Sequence, residues 1–91
     1  MAALVWGTNA IVVYGEGTSE YLALIALRKV SAGDTLDLTT YFSNALAATM
    51  VGTAGPAAGA SATATITANS VTIPAGPSSS AGAMLVFGVH A

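Results

Sequence analysis

Glu20-Tyr-Leu-Ala-Leu-Ile-Ala-Leu-Arg-Lys-Val30 reads in two ways, and the choice between them decides the fold. The stretch is long enough for about three helical turns, and Leu, Ala, Arg and Lys are good helix formers. A surface helix carries a polar stripe, however, and Tyr21 to Leu27 has none. Tyr21, Ala23, Ile25 and Leu27 alternate with Leu22, Leu24 and Ala26, and both sets are apolar. That is the pattern of a strand covered on both faces. We read it as such a strand and expect its neighbours in the chain to be strands as well.

On the N-terminal side, Ala10 to Tyr14 is a β-branched apolar run closed by the turn residues Gly15, Glu16 and Gly17. On the C-terminal side, Ser31 to Asp34 reads as a turn and Thr35 opens a new element. Residues 37–42 predict a single helical turn, with the Asp37 carboxylate accepting from the first free amides. Leu46 to Val51 predicts a strand, and Gly52 to Gly59 a loop rich in Gly and Pro. From Ala60 to Thr67, Ala and Ile alternate with Ser and Thr, the period of a half-exposed strand. Asn69 and Ser70 mark a tight turn, since Asn tolerates a positive φ. Val71 to Ile73 then returns and stops at Pro74, which has no amide to give to a ladder. Ala83 to His90 is an apolar closing strand. Short strands at roughly ten-residue spacing predict an all-β protein, a single small β-sandwich or jelly-roll-like domain over residues 1–91. Residues 1–8 are expected to form an N-terminal arm.

The charge distribution narrows the function. Two cations, Arg28 and Lys29, and four acids, Glu16, Glu20, Asp34 and Asp37, are the only formal charges in 91 residues, for a net −2. A chain with two cations cannot neutralise a run of phosphates, which excludes nucleic acid as a partner. No apolar stretch approaches the roughly 20 residues of a spanning helix, so no membrane partner is expected. The N-terminus lacks the basic start of a secretory signal, which predicts synthesis in a cytoplasm. The sequence has no cysteine, hence no disulfide framework, thiol nucleophile or thiolate metal site.

Catalytic parts are equally scarce. The one histidine, His90, is penultimate, where a triad would be poorly held. Glu16 with Glu20, and Asp34 with Asp37, are the only carboxylate pairs for glycoside hydrolysis, and a chain this short has little volume for a sugar cleft. Asp34 reads as a turn acid and Asp37 as a cap, without the oxygen density of a calcium loop. No catalytic, cofactor or metal residue is assigned, and the protein is read as a non-enzyme without cofactors. Trp6 and Tyr14 are the candidates for a sugar-stacking platform; Tyr21 and Phe87 read as core, with Trp6 and Phe42 anchoring loops. Alanine fills 20 positions, and residues 38–91 carry no formal charge. A surface of Ala, Thr, Ser and Gly does not resist association by charge repulsion. Such a chain reads as a building block.

Three segments carry a resemblance: residues 30–42 (VSAGDTLDLTTYF), 69–76 (NSVTIPAG) and 83–89 (AMLVFGV). Together they resemble the layout of small structural proteins of tailed-phage virions, of the capsid decoration or cement type. The resemblance implies a compact β-domain on the capsid exterior that clamps neighbouring capsomers, is commonly trimeric and carries no catalytic residues. The expected function is thus a non-enzymatic virion protein that binds the major capsid protein as a homo-oligomer, a trimer favoured, on the capsid surface. Ala2, Ala3, Leu4, Val5 and Trp6 are expected to contribute to the interface by strand addition, with Tyr14. The alternatives are a glycan-binding or adhesion module of a tail or fibre, and a tail or connector component. A small hydrolase using the acid pairs is the third class.

Overall fold

A computed structural model describes residues 3–52, 61–74 and 79–91. The protein is all-β. Its strands are β1 (Ala10–Glu16), β2 (Glu20–Ser31), β3 (Thr35–Asp37), β4 (Phe42–Gly52), β5 (Ser61–Thr63), β6 (Thr65–Thr67), β7 (Ser70–Thr72) and β8 (Ser79–His90). They form a five-stranded sheet in the order β1-β2-β8-β4-β5 and a three-stranded sheet in the order β3-β7-β6, with every pairing antiparallel. The core lies between the two sheets. Ala23, Ile25, Met50, Met84 and Val86 come from the larger sheet, Leu36 and Val71 from the smaller. Its accessible surface, 4680 Å², is close to the roughly 4,800 Å² that scaling gives for this mass, so the chain is folded as tightly as others of its size.

Bulges give the large sheet its shape. Its register shifts at Val13, at Lys29, at Ser43 and at Leu46. Each bulge inserts one residue and changes which side chains face inward. In β4 the two bulges place Phe42, Ala45 and Ala48 in the core at every third position, before Met50 and Gly52 resume alternation. This three-residue spacing hides a strand from any period-2 reading, and residues 43–45 gave no strand signal for that reason.

The helical turn expected at residues 37–42 is a hydrogen-bonded turn that never becomes a helix. Tyr41 and Phe42 amides both donate to the Leu38 carbonyl, at 3.1 and 2.8 Å. The Asp37 carboxylate caps it as expected, accepting from the Thr39 amide (2.9 Å) and the Thr39 hydroxyl (2.7 Å). Phe42 enters β4 at once and is fully buried, edge-on to Tyr21 at 5.3 Å, so it is core and not a loop anchor.

The strand expected from Ala60 to Thr67 is two strands. β5 pairs with β4 and β6 with β7, so the chain changes sheets at Ala64, as at the corners of sandwiches. Ala64 is buried and its amide donates to the Ala48 carbonyl at 2.9 Å. A residue larger than Ala has little room at this corner. Ala68 and Asn69, with φ of 49° and 61°, close the β6–β7 hairpin. Two consecutive positive φ values define the two-residue turn that matches strand twist. The expected Gly52–Gly59 loop lies outside the described residues, apart from Gly52 at the end of β4.

Candidate functional site

The residues singled out for chemistry do not come together. Among the described residues there is no enclosed pocket and no group of three His, Asp or Glu side chains placed to hold a metal. His90 is exposed; its Nδ1 lies 2.8 Å from the Ala91 carbonyl oxygen and its ring packs edge-on against Tyr21 at 4.5 Å. Asp34 is buried in the β2–β3 turn, where it accepts from the Ser31 amide at 2.9 Å. Asp37 is exposed, and its hydrogen bonds to Thr39 hold its carboxyl below the ordinary value.

The segment expected as an arm lies against the body. The Leu4 amide donates to the Thr35 carbonyl at 2.8 Å, in a parallel bridge between Ala3 and Thr35. The Trp6 indole donates to the Asp37 carbonyl at 2.8 Å and stacks edge-on to Tyr41 at 4.8 Å. The physical reason is that β3 is an edge strand with free backbone groups, and a neighbouring apolar segment satisfies them. Trp6 is therefore half-buried, while Tyr14 stands on the large sheet with its hydroxyl donating to Glu16 at 2.5 Å. That hydrogen bond and the Glu16 charge raise the Tyr14 phenol above its ordinary value. Ala2 lies outside the described residues, and Val5 is exposed.

The feature that does assemble is the outward face of the five-stranded sheet. The pairing register sorts its outward side chains into rows that run across the strands. The middle row is Tyr14, Leu24, Leu85, Thr49 and Thr63. One side of it holds Glu16, Leu22, Phe87 and Ala47, followed by Glu20, Val89 and Asn44. The other side holds Ile11, Ala26, Ala83, Val51 and Ser61, followed by Arg28 and Ala81. Leu85, Phe87 and Val89 are 46, 41 and 38% exposed although β8 is the central strand. Of the ten large hydrophobic residues that stand exposed among the described residues, seven lie in these rows. A contiguous apolar face on a well-packed domain marks an interaction surface.

This face corrects two sequence readings. β2 is covered on one side only: Ala23, Ile25 and Leu27 are buried, while Leu22 is 37% exposed. Phe87 is outward and not core. The underlying signal was present, because a strand apolar on both sides needs a second cover, and the three-stranded sheet supplies just one. Of the five described residues expected at an interface, Tyr14 alone stands on this face. Nothing local in the sequence marks Leu22, Leu85 and Phe87 as outward, because an inward row and an outward one read alike when both are apolar.

Comparison with models of protein families, with curated proteins and with solved structures finds no match to this chain.

Proposed function

We propose that the protein is a non-enzymatic structural subunit that works by assembly, in the setting its sequence resembles: a decoration protein on the exterior of a virion shell. The observation that supports this reading is the apolar outward face of the largest sheet, which sits on a domain of ordinary compactness. An apolar face on the central strands of a small protein is a liability in a monomer and an asset in an assembly. The major capsid protein is the lattice partner in this reading, and many weak contacts repeated over a shell supply the affinity.

The test is occupancy on shells assembled from a major capsid protein encoded beside this chain. Saturable co-sedimentation at a fixed ratio to capsomers, with raised thermal stability of the shell, is the expected result. No binding under conditions where the protein is folded and soluble overturns the capsid assignment.

A further inference from the structure

We propose that the outward face of the five-stranded sheet is covered by a second copy of the same chain, related by a two-fold axis that lies between the five-stranded sheets of the two copies and runs across the strands. The inference rests on the assembly reading above and names its first partner. Three observations select this occupant and this axis.

The first is shape. A two-fold axis across the middle row turns each strand onto its own reverse, because such an interface is isologous. Leu24 then meets Leu24 and Leu85 meets Leu85. Leu22 of one copy lies over Ala26 of the other, and Phe87 over Ala83, given the register that puts Leu22 beside Phe87 and Ala26 beside Ala83. On either side of the Leu24 and Leu85 contacts at the axis, large side chains thus oppose small ones on both strands, as interdigitating sheet faces require.

Charge is the second. The outward residues of β2 run Glu20, Leu22, Leu24, Ala26, Arg28, so an acid and a base sit at opposite ends of an apolar row. Reversal about Leu24 brings each Glu20 toward the other copy's Arg28, twice per pair. The alternative two-fold axis, parallel to the strands along the central β8, would lay β2 of one copy over β4 of the other and leave Glu20 and Arg28 facing a strand with no charged residue. Charge at the rim fixes orientation in this way even where it adds little affinity.

The third is area. Strands about 4.8 Å apart, four of them spanning about 24–27 Å and the three-residue β5 about 10 Å, give roughly 540 Å² per copy. Two such faces bury about 1,100 Å², above the roughly 1,000 Å² that a specific interface should clear.

The experiment is sedimentation of the full chain across a concentration series, with circular dichroism to verify that each variant is folded. Wild type is expected to be a dimer. L85E places two carboxylates at the axis and is expected to weaken the pair by about 30-fold or more, the scale of a central hot spot. E20R and R28E are each expected to weaken it by about 3–10-fold, and the double variant E20R/R28E to restore it. Because the chain has no cysteine, L24C and T67C give clean single sites; a short bismaleimide should join L24C pairs at the axis and leave T67C, on the other sheet, unjoined. A dimer that survives L85E, a trimer, or a double variant no better than either single one overturns the two-fold pairing. A folded monomer that still decorates shells also overturns the pairing and leaves the capsid reading standing. A pair that binds no shell does the reverse.

Discussion

Asn69 should be the most sensitive polar residue of the fold. β5 pairs with β4 only at Thr49, Met50 and Val51, so residues 42–45 of β4 have no strand on that side. The Asn69 side chain fills the gap: its amide nitrogen donates to the Phe42 carbonyl and its oxygen accepts from the Ala45 amide, both at 2.8 Å. Its own carbonyl accepts from the Leu38 amide at 3.0 Å. It thereby joins the hairpin of the small sheet to the bulged strand of the large one. Truncation orphans one buried donor and one buried acceptor, each worth about 1 kcal/mol in a site that is only partly buried. Its φ of 61° adds about 1 kcal/mol for alanine, which carries a Cβ into the left-handed region, and almost nothing for glycine. N69A should lose about 3 kcal/mol and N69G about 2 kcal/mol. In urea unfolding this appears as an ordered fall in midpoint, and in a thermal scan as roughly 12–24 °C for N69A. N69D keeps the acceptor for Ala45 but sets a carboxylate against the Phe42 carbonyl, so it should gain on N69G as pH falls and the carboxyl takes up a proton. If N69A and N69G both stay within about 0.5 kcal/mol of wild type, the amide is not replacing a missing strand and the reasoning fails.

Further expectations concern other parts of the fold. G88A should destabilise by about 2–3 kcal/mol, because a Cβ there would press on the Asn44 carbonyl and lie 2.8 Å from the Ala45 Cα; a melting curve checks it. Replacing Trp6 by Phe removes the indole donor to Asp37 and should speed hydrogen exchange at the Leu4 amide, with the rest of the chain unchanged. The Asp37 carboxyl lies below its ordinary value of 3.8, so its stabilisation is complete above that pH and is lost as pH falls through the lowered value. D37A should therefore flatten the acid limb of the stability profile below about pH 4. The Tyr14 phenol lies above 10.0, so its contribution holds below that pH and is lost as pH rises through the raised value. An absorbance titration of E16Q should show one tyrosine ionising earlier than in wild type.

Elements whose causes are local were legible in the amino-acid order. Continuous apolar runs bounded by turn residues placed β1, β2 and β8, and the Asn69 turn followed from the ease with which Asn adopts a positive φ. Asp37 was legible as a cap because its hydrogen bonds reach only to Thr39. Bulges and corners were decided by contacts distant in the chain. Whether β4 presents every second or every third residue depends on its register with β8, and Ala64 turns a corner because β4 stands beside it. The same limit applies to the candidate site. Two apolar faces on β2 and β8 were readable, and so was the need to cover both. Which one meets the small sheet, and which one stands open with Glu20 at one end and Arg28 at the other, is fixed only when the sheets pack. One thin sheet covers one side of the large sheet and leaves the other apolar face open.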